Sequence, residues 1–416
     1  MSVPGDEVRQ VAERVARESY GRLVAFLAAR TGDIAGAEDA LSEAFAAALA
    51  SWPTTGVPAN PAAWLHAVAR RRQGDALRRQ RTSQAGAPHL SLMVEEAEAA
   101  AAGAEIPDRR LALMFACTHP DIELRLRSPL ILQTLLGFTA TDIGAAFLVP
   151  PSTMGQRLVR AKASIKEAQL SFHIPSAEEL PARVAAVLAA VYAAYTKGWD
   201  ESGDPEPSHL ATEAIWLGRL LVAQLPAEPE TKGMLALMLY SEARRPARRD
   251  TGGAYVPLDE QDVRLWDGRK IVLAGRLLSE ASAGGPSGRY QIEAAIQSAH
   301  VARRMLGVAN WPEILALYDH LYRLAPSPVV ALNRAVARAE IEGPAAALAD
   351  VDRLAADPRM KDYQPYWAAR GHLCAAAGRF AEASEALRLA VGLSVDPAVR
   401  DHLQRRLDQL GSIASP

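Results

Sequence analysis

Three breaks at small residues recur at a nearly fixed interval in the C-terminal third of the chain. Ala309, Gly343 and Gly378 stand 34 and 35 residues apart, each between two stretches rich in alanine and leucine. A unit of that length holds two helices and a turn, and it cannot bury its apolar stripe alone, so consecutive units must stack. The last unit carries the pattern most fully: Trp367, Gly371, Gly378, Ala383 and Ala390 alternate bulky with small, so that two helices approach closely and Trp367 fills the gap to its neighbour. Pro326 and Pro397 close the first and last units, because proline cannot continue a helix. Residues 182–300 are helical by pattern but show no clear repeat.

The rest of the 416-residue chain agrees with an all-α fold. Hydrophobic residues make up 49% and aromatics only 6%, and alanine-rich segments with few β-branched runs favour helix over strand. Two cysteines, Cys117 and Cys374, cannot build a disulfide framework. Cys117 lies two residues before His119, which is half a metal site at most, so neither metal nor cofactor is expected. No signal-like start and no run of about 18 apolar residues appears, so the sequence predicts a soluble cytoplasmic protein without a membrane partner. Phosphate loops, dinucleotide fingerprints, nucleophile elbows and metalloprotease motifs are missing, and no enzyme is expected.

Net charge is −2, from 46 basic and 48 acidic side chains, but the basic residues cluster. Residues 70–81 carry Arg70, Arg71, Arg72, Arg78, Arg79 and Arg81 against Asp75, and residues 152–166 carry Arg157, Arg160, Lys162 and Lys166 with no acid. Two short basic helices in an otherwise neutral half suit phosphate contact. Further on, Arg244, Arg245, Arg248 and Arg249 face Asp259, Glu260, Asp262 and Asp267 across the loop 245–261, a pattern that predicts internal ion pairing.

The sharpest local signal is residues 139–166, TATDIGAAFLVPPSTMGQRLVRAKASIK. Thr139 followed by Asp142 reads as a capping box, and Ile143 with Phe147 gives a short apolar face. Residues Leu148 to Pro151 read as a turn, and Ser152 opens a second helix. Met154 and Leu158 face inward there, leaving Thr153, Gln156, Arg157, Arg160 and Lys162 outward. Helix, tight turn and basic second helix is the logic of a helix-turn-helix that reads the major groove.

This segment resembles region four of the extracytoplasmic-function (ECF) sigma factors, which reads the minus-thirty-five promoter element. The resemblance places Ser152, Thr153, Gln156, Arg157, Arg160 and Lys162 against DNA. Gly155 stands where the family usually has lysine, and Leu148 and the Pro150–Pro151 pair replace its usual turn. Residues 37–45, AEDALSEAF, resemble region two of the same family. There Leu41, Phe45 and Leu49 have core spacing and Glu38, Asp39 and Glu43 point outward. The resemblance implies that Glu38, Asp39, Leu41, Ser42, Glu43 and Phe45 bind the β′ clamp helices of core RNA polymerase, with Ser42 replacing the usual glutamine. Residues 61–79, PAAWLHAVARRRQGDALRR, are similar to the family helix that grips the unpaired strand of the minus-ten element. The loop Ser51–Asn60 and this helix are then expected to cradle that strand through Trp52, Asn60, His66, Arg70, Arg71, Arg72, Arg78 and Arg79. Trp52 and His66 serve as stacking surfaces, and Trp64 as a core anchor.

The resemblance covers residues 10–168 and implies an all-α chain with region two at 8–80, an inter-domain linker at 81–107 and region four at 108–170. A helical extension follows at 171–290 and tetratricopeptide-like repeats at 291–416, as in the sigma subgroup with a long C-terminal extension. Its implied partners are core RNA polymerase, through the β′ clamp helices and the β flap, and promoter DNA. An intramolecular contact between extension and sigma modules is also expected, setting activity. The rival readings are an operator-binding helix-turn-helix regulator with a repeat-built sensor, and a scaffold whose basic helices bind acidic proteins.

Overall fold

A computed structural model describes residues 4–81, 108–147, 149–170, 172, 175–176, 178–201, 208–285 and 287–414. The linker expected at 81–107 lies outside the described residues except for Arg81. Two compact units emerge, Met1–Ala194 and Tyr195–Pro416. Among the described residues all regular structure is helical, apart from one isolated bridge between Arg249 and Tyr255.

The first unit opens with three helices, α1 (Pro4–Thr31), α2 (Ile34–Thr55) and α3 (Pro61–Arg81), packed on one another. Asp33 caps α2 by accepting a hydrogen bond from the Gly36 amide at 2.9 Å, which satisfies an end amide. The core stripe of α2 differs from the expected one. Ala37, Ala40, Leu41, Ala44, Ala47, Ala48 and Trp52 are buried, whereas Phe45 is half-buried and Leu49 is 47% exposed. The reason is distance: α2 is wedged between α1 and α3, and alanines let three backbones approach where Phe45 and Leu49 would hold them apart. The helix also continues through Pro53, so the loop before α3 is only Gly56 to Asn60, shorter than the expected Ser51–Asn60.

Four helices follow among the described residues: α4 (Arg110–Cys117), α5 (Leu124–Leu136), α6 (Ala140–Phe147) and α7 (Pro151–Glu167). Every residue of α4 is buried, and α1 lies directly on α4 and α5. The crossing is so close that a Cβ on Gly21 would sit 2.2 Å from the Leu135 carbonyl oxygen. Only glycine permits that approach. The first turns of α8 (Leu180–Glu201) also belong here: Ser128 Oγ donates to the Ala186 carbonyl at 2.9 Å, and Arg183 reaches the Phe115 carbonyl. Val184, Val187, Leu188 and Val191 are buried, so this compact unit extends well past residue 170.

The second unit is an array of helical hairpins. After α9 (His209–Gln224), helices α10 (Pro229–Ala243), α11 (Gly268–Ser282) and α12 (Arg289–Leu306) pack together. The three expected breaks then fall inside hairpins: Ala309 between α12 and α13 (Trp311–Leu324), Gly343 between α14 (Pro328–Glu342) and α15 (Pro344–Leu354), and Gly378 between α16 (Gln364–Ala376) and α17 (Phe380–Leu393). Gly343 and Gly378 turn the chain at φ +86° and +75°. Helix α18 (Pro397–Ala414) packs on α17. Within the last unit the fully buried aromatic side chain is Tyr366. Trp367 is only partly buried, packs on Tyr366 and donates from its indole to the Lys361 carbonyl at 2.9 Å.

Candidate nucleic-acid interface

Two helices form where the sequence places them, α6 and α7. Thr139 and Asp142 cap α6 reciprocally: the Thr139 amide and hydroxyl donate to Asp142 Oδ2 at 3.1 and 2.6 Å, and the Asp142 amide donates to Thr139 Oγ1 at 3.2 Å. Ile143, Met154 and Leu158 are fully buried, while Phe147 lies mostly outside the core. Helix α7 begins at Pro151, with Leu148 of the expected turn outside the described residues. Ser152, Gln156 and Arg160 are exposed along one side of α7, and Thr153 and Arg157 flank them half-buried. Val159, 67% exposed, completes that side. It was missed from the sequence because it is apolar, although an apolar residue beside Gln156 and Arg160 suits contact with a thymine methyl.

Lys162 departs from this arrangement. Its side chain is 9% exposed, and its ammonium donates to both carboxylate oxygens of Glu38, 2.8 and 2.6 Å away. Lys166, one turn on, pairs with Asp33 at 2.6 Å. Lys162 therefore does not belong to the outward basic face in this arrangement, and Glu38 does not point outward from α2. Each neutralises the other, because seating α7 on α2 would otherwise bury an unpaired charge.

The remaining region-two residues divide the same way. Asp39, Ser42 and Glu43 are exposed, with Glu43 also 3.4 Å from Arg72. Phe45 is half-buried, whereas Leu41 is fully buried and cannot touch a partner from its place between helices. Tyr20 lies close by, and burial first, then Glu38 and Asp39, push its phenol above the ordinary range.

Of the residues expected at the minus-ten strand, Trp52 is 1% exposed and meets Trp64 edge-to-face at 5.4 Å. It is therefore a core residue and not a base-stacking surface; the alanines around it leave a volume that only a large ring fills. Trp64 is buried as expected. His66 is also turned inward, edge-on to Phe26 at 4.7 Å with Nε2 sealed from solvent, and burial, then Arg70 and Arg30, hold its imidazole below the usual range. Asn60 starts α3 by accepting from the Ala63 amide at 3.1 Å and remains exposed, as does Arg70. Arg71 is half-buried and engaged, and Arg72 is held by Glu43. Arg78 and Arg79 lie in the last turns of α3, and their side chains lie outside the described residues.

Of the residues expected to meet nucleic acid, those that remain exposed among the described ones are Ser152, Gln156 and Arg160 on α7, with Asn60 and Arg70. Elsewhere Cys117 is buried beside Thr134, and desolvation pushes its thiol up to about 12. Among the described residues no cluster of three or more His, Cys, Asp or Glu could hold a metal ion, and no helix is long and apolar enough to cross a membrane.

Residues 15–83 match the family described as Sigma-70 region 2, and residues 183–282 match a family of unknown function, DUF6596. An uncharacterized protein of Rhizobium meliloti (strain 1021) is 39% identical over 383 residues, which span 90% of each chain. No solved structure matches.

Proposed function

The chain belongs to the family of that Rhizobium meliloti protein and carries a Sigma-70 region 2 domain at its N-terminus, and on that premise we propose that it is an ECF-type sigma factor with a regulatory helical extension. The region-two family implies a role in transcription initiation, through core RNA polymerase and promoter DNA, and it is a family of non-enzymatic transcription factors. The observation that carries the finer reading is the pairing, within one compact unit, of the matched bundle with a capped helix-turn-helix whose second helix exposes Gln156, Val159 and Arg160.

In this reading Asp39, Ser42 and Glu43 meet the polymerase clamp. Asn60, Arg70, Arg78 and Arg79 hold the minus-ten strand, and Ser152, Thr153, Gln156, Arg157, Val159 and Arg160 read the minus-thirty-five duplex. The two elements lie about 25 base pairs apart, roughly 85 Å of duplex at 3.4 Å per step. Lys162 on α7 touches Glu38 on α2, so both elements cannot be engaged from this arrangement. It is the closed form; polymerase takes an open one, in which Glu38 is released to face the clamp and Lys162 to face phosphate. The tetratricopeptide-like extension sets how readily that opening occurs.

Transcription with purified bacterial core polymerase, on promoters from upstream of the gene and its neighbours, tests the proposal. Start-site-specific RNA that requires the protein, and that fails when Arg78 and Arg79 are changed to alanine, is the expected result. Absence of both RNA and co-elution with core polymerase would overturn it. Duplex binding without polymerase would then favour an operator-binding regulator.

A further inference from the structure

The ion pairing expected across the loop 245–261 forms with other partners, two of them on distant helices. Arg245 is matched by Glu242 at 2.6 Å, but Arg249 pairs with Asp396, just before α18, and Asp259 pairs with Arg303 on α12. Asp262 and Asp267 pair locally, with Arg264 at 2.7 Å and Lys270 at 2.8 Å. Between the two long-range pairs the chain makes a tight hairpin: the Val256 amide donates to the Arg248 carbonyl at 2.9 Å, and the Asp250 amide to the Ala254 carbonyl at 3.0 Å. That hairpin sets Tyr255 edge-on to His402 of α18 at 5.5 Å. Further along, Arg304 of α12 donates to the Gln261 carbonyl at 2.9 Å. Burial first, then Arg406, holds His372 of α16 and His402 of α18 below the usual range, while Asp259 pulls the former up and Glu260 the latter. Helices α12 and α16 are the first helices of their hairpins and α18 follows the last one. Residues 249–261 therefore strap one side of the array, from α12 to α18.

Stacked hairpins present an extended surface along which a chain can cross successive units. The segment that crosses here is acidic: residues 250–262 hold Asp250, Asp259, Glu260 and Asp262 and no base. The helices under it supply Arg303, Arg304, His372, His402 and Arg406, and His372 Nδ1 lies 3.4 Å from Arg406 Nη2. A carboxylate on a guanidinium, a ring against an imidazole and a backbone carbonyl on an arginine are the contacts by which a protein face holds an extended peptide. Yet none of residues 250–260 is buried, and the Asp259 side chain is 67% exposed. Exposed pairs contribute little, so the strap matches the face in chemistry but is lightly held. Its ends are fixed differently, by the buried Arg245 and Gln261. We propose that residues 250–260 are a displaceable internal occupant of a peptide-binding face, and that the external partner of this face is an extended acidic protein segment carrying an aromatic residue. The partner's carboxylate takes Arg303 and its ring takes His402, while Arg245 and Gln261 keep the ends of the strap in place. The inference concerns the second unit alone and does not rest on the sigma-factor reading.

The test is fluorescence anisotropy with a labelled synthetic peptide of residues 250–262, titrated with the full chain. In the parent the tethered strap competes at an effective concentration on the order of millimolar, so weak binding is expected. The full chain carrying Tyr255→Ala and Asp259→Ala, which weakens the strap without touching the face, is expected to bind the peptide at least tenfold more tightly. Adding Arg303→Gln to that chain is expected to abolish the gain, and a peptide with alanine in place of its own tyrosine and of the aspartate at 259 is expected not to bind. Should the double variant fail to fold, Asp259→Ala alone, at an exposed position, is expected to tighten binding about threefold. Equal affinity for parent and strap-weakened chain overturns the proposal. So does absence of binding to the folded strap-weakened chain, or binding that survives Arg303→Gln.

Discussion

Lys162→Met removes the cation that joins α7 to α2 while keeping a long side chain in its place. At an effective dielectric of 20, charges about 3 Å apart attract by about 6 kcal/mol, and desolvation offsets much of this. Losing one partner of a fully buried pair costs about 3–5 kcal/mol, because the other charge is stranded. The Glu38 side chain keeps 19% of its surface in water, which brings the cost below that range, to about 2 kcal/mol. That penalty falls on the closed form alone, since Glu38 regains its water on opening. The pair Lys166–Asp33 remains, but Lys166 is half exposed and contributes less than about 1 kcal/mol. If polymerase takes only the open form, a shift of 2 kcal/mol raises its apparent affinity about thirty-fold. Titration of the full chain with core polymerase, without DNA and at fixed ionic strength, measures this directly. An unchanged or weaker affinity in a folded Lys162→Met protein would refute the idea that this ion pair holds the modules closed.

Three further outcomes follow from the packing. Trp52→Ala empties a fully buried site against Trp64 and is expected to destabilise the first unit by about 3–5 kcal/mol in thermal or denaturant unfolding; an unchanged midpoint would return Trp52 to the surface. Gly155→Ala places a methyl 3.7 Å from the Ala140 Cβ, an ordinary contact, so helix propensity alone should stabilise α7 by about 1 kcal/mol, and a lower melting temperature would contradict that geometry. Burial first, then Arg303 and Arg244, lowers His300 to about 4, against a weaker upward pull from Asp259. The unfolded chain therefore binds a proton at His300 before the folded one does, and the stability this site contributes is complete above about pH 6.5 and lost as pH falls towards 4. His300→Gln should flatten that part of the stability profile, and a profile identical to the parent's would refute the assignment.

The local features of this chain were legible because they depend on neighbours in sequence. The 34–35-residue spacing of Ala309, Gly343 and Gly378 marks real hairpins, the Thr139–Asp142 box caps α6, and Met154 and Leu158 face inward, since helical period and capping act over three or four residues. Tertiary structure decided what depends on distant partners. The α2 stripe runs through alanines instead of Phe45 and Leu49 because two other helices press on it, and the same pressure buries Trp52. Lys162 carries every sign of an outward basic residue, yet its counter-charge is Glu38, 124 residues away. Asp259, Asp262 and Asp267, placed by sequence opposite the arginines 244–249, pair instead with Arg303, Arg264 and Lys270. Periodicity specifies which face of a helix is apolar, but charge pairing is settled only when packing selects which faces meet and removes them from water.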